Sequence, residues 1–175
     1  IAGYGFEIYH DKAKDTVMAI LMLAMMVPFV AVLVPLFQMF TKAKLINSWT
    51  GFILPSIATP FLIMYFRNSA RSFPRDTLEA ARIDGLNEFQ IFIRMFIPMM
   101  KPTYASAATI TFMGAWNAYL WPKVVMQTNE AITMPMLVAN TMGGYVIDYG
   151  VVMAAVTICS LPTVIIFFCL QKSFT

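Results

Sequence analysis

Four stretches of the chain, about residues 16–40, 49–66, 103–121 and 149–170, contain no Lys, Arg, Asp or Glu. A helix needs about 20 predominantly apolar residues to cross the hydrocarbon core of a bilayer, and these windows have that length or come close to it. In lipid the backbone must satisfy its own N–H and C=O groups, so apolar runs of this kind span as helices. The rest of the composition agrees. The 175 residues are 59% hydrophobic and 12% charged, where a soluble domain carries about 25% charged residues. The expected fold class is all-α integral membrane, a multi-span helical bundle forming one domain over residues 1–175. Pro28, Pro35, Pro55, Pro60 and Pro162 fall inside the windows. Membrane bundles tolerate them as kinks, which leaves both a cavity and plain bending open.

Charge placement orients the spans. One set of connecting segments holds Lys12, Lys14, Arg67, Arg71, Arg75, Arg82, Arg94, Lys101 and Lys172, and the other holds only Lys42, Lys44 and Lys123. The positive-inside rule puts the richer set, and with it the loop 67–102, in the cytoplasm. The other sizeable connecting segment, 122–148, carries turn signals at Thr128-Asn129 and Gly143-Gly144 and reads as an external re-entrant or surface-lying piece.

Several function classes find no support. The net charge of +3 is dispersed, with no basic run interleaved with aromatics, so nucleic acid is not an expected partner. His10 is the only histidine and sits in a charged loop. No HExxH, Cys/His cluster or GxSxG pattern points to a metal or an acyl-enzyme, and no GxxxxGK[ST] loop binds nucleotide. Cys159 and Cys169 are roughly 15 Å apart along one helix, too far for a disulfide. The windows lack the ionisable residues that proton-coupled carriers place at the bilayer midplane. Backbone and hydroxyl oxygens could still hold Na⁺, so an ion-coupled carrier or channel subunit stays as the alternative. A non-transporting membrane scaffold is a third class.

Residues 75–98 hold seven of the 21 charged residues. Pro74 suits the first turn of a helix, with Asp76 and Glu79 near its positive end and Gly85 suited to a left-handed stop near 84. Asn87 and Gln90 have capping-box spacing for a second helix. In that helix Phe89, Phe92, Ile93, Phe96 and Ile97 repeat as one apolar stripe. Two uses are open to the pair. It is an interfacial anchor between spans, or a compact knob that passes rigid-body motion to another surface.

The stretch EAARIDGLNEFQIFIRMFIP resembles the EAA motif of permease subunits of bacterial ABC importers. In that motif Glu-Ala-Ala is followed after three residues by Gly, and after nine more by Ile-x-Leu-Pro. Glu79, Ala80, Ala81, Gly85 and Pro98 match, while Met95 and Ile97 replace Ile and Leu. LINSWTGFILP, SFPRDTLEAARIDG and GAWNAYLWP resemble the carbohydrate-type permeases of maltose and glycerol-phosphate importers. The YHDKAKD loop departs from the family in being less basic.

The resemblance implies a multi-pass permease of the bacterial inner membrane for a sugar or oligosaccharide. It would pair with a second permease, sit on two ABC ATPase subunits and receive substrate from an extracellular binding protein. ATP and Mg²⁺ would be bound by the ATPase, so the chain itself is expected to hold no cofactor and to be no enzyme. Glu79 would make polar contact with the ATPase, Ala80 and Ala81 would allow close packing, and Gly85 would form the turn. Asp84 and Pro98 complete the motif. Such subunits usually have at least one more span upstream of Ile1, so the chain is expected to be a fragment. For the substrate path Trp116, Asn117, Tyr119 and Trp121 are candidates, because aromatic faces stack on sugar C–H surfaces and Asn both donates and accepts. An interfacial aromatic belt is the other reading of the same residues.

Overall fold

Proline and one asparagine decide where the apolar windows break. The computed structural model describes residues 1–9, 11–128, 132–143 and 147–170, and all regular structure among them is helical. Helix α1 (Ala2–Ile8) precedes α2 (Lys12–Met25), which starts where the Asp11 side chain accepts from the Lys14 N–H at 2.8 Å. Pro28, held extended, caps α3 (Phe29–Lys42). After α4 (Trp49–Ile53) comes a 3₁₀ turn at Leu54–Ser56 containing Pro55, and Pro60 is the first residue of α5 (Pro60–Ala70). These three prolines begin elements rather than kink them, because a missing N–H costs little in a first turn. Only Pro35, in α3, and Pro162 stay inside helices.

The chain continues through α6 (Arg75–Ile83) and α7 (Glu88–Ile91), a π-helical turn (Phe92–Phe96) and α8 (Ile97–Met99). Helix α9 (Lys101–Trp116) stops five residues short of the expected window, at Asn117, and α10 (Leu120–Val125) follows. The external segment contains α11 (Met134–Thr141); Asn129 and Gly144 of its turn signals, like His10, lie outside the described residues. The last helix, α12 (Tyr149–Leu170), is the one described helix long and apolar enough to cross a membrane alone. There are up to three such spans if α2 with α3, and α4 with α5, each count as one broken span. Three of the four expected windows are therefore interrupted, two at proline and one at Asn117.

Residues 1–26 and 58–108 form one compact unit, and residues 27–57 with 109–170 a second. In the first, α1 lies hard against α5. A Cβ on Gly3 would sit 2.6 Å from Phe66 Cβ and 2.7 Å from the Arg67 nitrogen, so glycine permits the approach. Arg67, only 7% exposed, ties three helices together: Nη2 meets Asp15 of α2 at 2.7 Å, and Nε meets Glu7 of α1 at 3.3 Å. The buried guanidinium is thus paired with a carboxylate from each of the two neighbouring helices. Beside this polar tie is an apolar core of Tyr4, Ala70, Phe73, Leu78, Ala81, Ile91, Phe96 and Met100. Tyr4 meets the Phe92 and Phe96 rings edge-on at 5.1 and 4.6 Å.

The second unit centres on Trp121, with Phe40, Val125 and Met126. Its indole N–H donates to the Phe52 carbonyl at 3.2 Å, and Phe40 packs edge-on at 5.1 Å. Asn47 adopts a left-handed φ of 56°, which asparagine tolerates well. Its N–H donates to the Val125 carbonyl at 2.8 Å, and its side-chain oxygen accepts the Gln127 N–H at 2.5 Å. Large apolar side chains such as Leu23, Val30, Met153, Ile165 and Phe168 remain exposed, as a surface facing lipid requires.

The Arg67 tie and the Gly3 contact define what holds the first unit. Arg67→Met leaves the half-sealed Glu7 carboxylate without its buried partner and is expected to cost about 2–3 kcal/mol. Gly3→Leu forces α1 off α5 at a similar cost, about 1–3 kcal/mol of overpacking. Thermal unfolding of the detergent-solubilised protein checks both, and a melting temperature unchanged in either variant contradicts this account.

Candidate coupling loop and substrate path

The turn at Gly85 is closed by its own local hydrogen bonds. Asp84 closes α6, and Gly85 follows at φ +78°, where any other L residue is strained. The Leu86 N–H reaches the Ala81 carbonyl at 3.0 Å and the Gly85 N–H reaches the Arg82 carbonyl at 3.1 Å. These are the two bonds of a Schellman motif, and Leu86 packs on the core beside Ala81 as that motif favours. One residue later the expected capping box is present: the Gln90 N–H donates to Asn87 Oδ1 at 2.9 Å and the Asn87 N–H to Gln90 Oε1 at 3.0 Å. Arg82 Nε bridges the turn to Glu88 at 2.8 Å.

Electrostatics reinforce this closure. The Tyr9 hydroxyl first, then Arg82, holds the Glu88 carboxyl below the usual carboxylate range. Burial, followed by Glu88, pushes the Tyr9 phenol up to about 12. Tyr9 follows the end of α1, so the electrostatic coupling of Glu88 reaches that helix.

The apolar stripe of the second helix is rotated from its expected place. Phe89 is 69% and Ile93 44% exposed, while Ile91, Phe96 and Met100 are buried. In the π turn the Ile97 N–H bonds to the Phe92 carbonyl, five residues back. That widens the turn and aligns residues spaced five and then four apart, which a pattern of 3.6 cannot foresee. Pro74 also sits one place earlier than expected, as the extended cap before Arg75.

The motif residues divide between two faces. Ala81 is 1% exposed and packed in the unit's own core, so its small side chain serves this chain's packing rather than an outside surface. Glu79, Ala80, Asp84, Gly85 and Pro98 are exposed, as is Ile83 at 86%. Beside α6 a cavity of about 160 Å³ is lined by Glu79 and Glu7 against Arg71, Arg75 and Arg82.

The substrate-path candidates are not brought together. The Trp116 indole N–H donates to the Cys159 carbonyl at 2.9 Å, and its ring stacks on Phe112. Trp121 is buried in the second core, and Tyr119 accepts a 2.6 Å hydrogen bond from Lys123. Asn117 alone lines a hollow, of about 280 Å³, with Pro135, Val138, Val156, Cys159 and Ser160. Sequence reasoning missed Ser160 and Cys159; a hydroxyl two residues before a proline in an apolar helix was the available signal.

The whole chain, residues 1–175, matches the family model described as binding-protein-dependent transport system inner membrane component. It is 41% identical over 174 residues to the lactose transport system permease protein LacG of Rhizobium radiobacter, covering 99% of this chain and 64% of that protein. It is 36% identical to the arabinooligosaccharides permease protein AraQ of Bacillus subtilis (strain 168), covering 98% of this chain and 61% of the relative. Among solved structures, a bacterial ABC transporter involved in importing the acidic polysaccharide alginate superposes with a TM-score of 0.85. That match is at 24% identity and covers 99% of this chain and 66% of the other, and it shows the same fold. The chain thus spans less than two thirds of the length of these relatives. The resemblance first carried by Glu79, Ala80, Ala81, Gly85 and Pro98 therefore holds over the full length: the chain belongs to the family of binding-protein-dependent transport system inner membrane components.

Proposed function

We propose that this chain is part of a multi-pass permease subunit of an ATP-driven importer for a sugar or oligosaccharide. The observation that carries the reading is the doubly capped knob at residues 75–91, which presents Glu79, Ala80, Ile83 and Asp84 outward. A knob that must accept force needs a fixed shape, and the Schellman turn, the capping box and the Arg82–Glu88 pair supply one. The mixed-charge cavity beside Glu79 suits a partner that brings both polar and charged groups. In this reading two ATPase subunits bind ATP and Mg²⁺, a second permease completes the path, and an external binding protein delivers the sugar. ATPase closure moves the knob and swings the spans between inward-open and outward-open forms. Relatives named for lactose and for arabinooligosaccharides support a carbohydrate as cargo.

Transport by the reconstituted complex, containing the complete subunit with its ATPase, second permease and binding protein, tests the reading. Glu79→Lys is expected to lower ATP-driven sugar uptake at least about tenfold, the scale of one lost interfacial polar contact. Gly85→Pro cannot adopt φ +78° and loses the N–H bonded to Arg82, so ATPase assembly should fail. Gly85→Ala meets nothing within 4 Å and suffers only backbone strain of about 1 kcal/mol, so assembly should persist. Wild-type uptake and assembly in both Glu79→Lys and Gly85→Pro would remove the basis for this function, as would sugar flux without any ATPase.

The closure of the knob has a pH window. The lowered Glu88 pKa means its contribution is fully present above the ordinary value of 4.5 and is lost as pH falls through the lowered one. The raised Tyr9 pKa means its contribution is fully present below 10 and is lost as pH rises through about 12. Protection of the amides of residues 82–91, their exchange relative to the intrinsic rate at each pH, should therefore be greatest between these limits. Glu88→Gln should speed that exchange at neutral pH by up to about fivefold, as for an exposed ion pair, and flatten the acid limb. An acid limb that persists in Glu88→Gln assigns it elsewhere.

A further inference from the structure

The hollow in the second unit has three properties that together select a ligand. It lies beside residues 117–119, where α9 has ended and α10 has not begun. Non-helical backbone within a membrane-embedded chain is tolerated where protein or water covers it, and membrane transport proteins place binding sites at such interrupted helices. Its polar atoms are also biased towards accepting. The Asn117 amide N–H₂ is engaged with the Met113 carbonyl at 2.9 Å, and the Ser160 hydroxyl donates to the Thr157 carbonyl at 2.8 Å. What remains for a ligand is the Asn117 side-chain oxygen with its second N–H and the Ser160 lone pairs, a set with more acceptors than donors that matches the hydroxyls of a sugar.

Among the described residues no carboxylate, imidazole, amine or guanidinium lines the hollow; besides Asn117 and Ser160 its walls are Pro135, Val138, Val156 and Cys159. A uronic acid or amino sugar would lose its solvation there without a counter-charge, at a cost an uncharged ring avoids. Pro135, Val138 and Val156 suit the C–H face of such a ring. A volume of about 280 Å³ sits at the lower end of small-ligand clefts, enough for one ring rather than a whole chain. Trp116 holds the floor in place, since its indole N–H binds the Cys159 carbonyl of α12.

We propose that this hollow, between Asn117 and Ser160, holds one uncharged sugar ring of the transported molecule during passage, an assignment that rests on the importer reading above.

Cys159 provides a native reporter on the wall. The complete transporter is reconstituted with Cys169→Ser in this subunit, and labelling of Cys159 by a negatively charged, membrane-impermeant methanethiosulfonate is followed by mass spectrometry. Lactose, diacetylchitobiose and an alginate oligosaccharide serve as probes, each delivered by a binding protein that takes it. The expected result is that a neutral sugar the complex transports slows labelling by about fivefold or more, as a bound ring covers the thiol. The alginate oligosaccharide should give no protection.

Asn117→Ala and Ser160→Ala are each expected to lower sugar moved per ATP by about three- to tenfold, the scale of one hydrogen bond, with ATP turnover retained. Protection of Cys159 is the deciding readout, because it needs no variant of Asn117 or Ser160 to fold. If Cys159 is never labelled, lipid or a neighbouring helix fills the hollow and the assignment fails. If it is labelled equally with and without transported sugar, the hollow is wet but unvisited, and the assignment fails while the importer reading stands. Protection by the alginate oligosaccharide overturns the uncharged class. Absence of ATP-driven uptake of every probe by the wild-type complex removes the importer reading, and this site with it.

Discussion

In a chain this apolar, each break in a helix exposes backbone groups that lipid cannot satisfy, so each break must find its own partners. That constraint organises both units. At Gly85 the freed carbonyls of α6 are met by the Gly85 and Leu86 N–H groups. At Asn87 the next helix start is met by the Gln90 side chain. Asn47 does the same work in the second unit, accepting from Gln127 and donating to Val125. Two indoles, Trp116 and Trp121, donate to carbonyls of α12 and α4 with their lining residues. Aromatic residues that look like a stacking platform in the sequence are largely consumed by this requirement.

The features legible in the sequence were those set by local chemistry. Gly85 as a left-handed stop, Asn87 with Gln90 as a capping box and Asp76 in a first turn depend on residues within one or two turns, and each is present. The uninterrupted window 149–170 is also one helix, because nothing in it except Pro162 opposes helix formation. The features that escaped depend on distant partners or on a change of period. The π turn at Phe92–Phe96 alters the helical repeat, so Phe89 and Ile93 lie on another face than a period of 3.6 predicts. The motif groups Ala81 with Ala80, yet only the shared core of Phe73, Leu78 and Ile91 shows which face Ala81 occupies. Asn117 stands out for its chemistry, but its neighbours Val138 and Ser160 come from elements about 20 and 40 residues later in the chain, beyond the reach of any local pattern.

The same contrast appears in how charge is used. Charges are few, and within the first unit Arg67, Glu7, Asp15 and Arg71 are spent on holding α1, α2 and α5 together rather than on solvation. Arg82 and Glu88 close the knob. Arg75, Asp76, Glu79 and Asp84 are left on the exposed side of α6 with Ile83 beside them. In the proposed reading Ile83, 86% exposed among these charges, belongs to the surface that meets the ATPase.

Rigidity links that exposed face to the rest of its unit. Leu78 and Ala81 on the inner side of α6 share one core with Tyr4 of α1, Phe96 of the π turn and Met100 at the foot of α9. A close-packed cluster transmits displacement rather than absorbing it, because its side chains sit in interlocked rotamers with little free volume. Tyr4 also follows Gly3, whose contact with Phe66 admits no slack, and Arg67 lies one residue on, bonded to α2. A push on Glu79 or Ile83 therefore meets no loose joint before it reaches the ends of α1, α2 and α5. The glycine turn bends the chain through the left-handed region while its two hydrogen bonds fix its shape, and in the proposed reading that combination of tight reversal and fixed shape is what lets a partner's motion become helix motion.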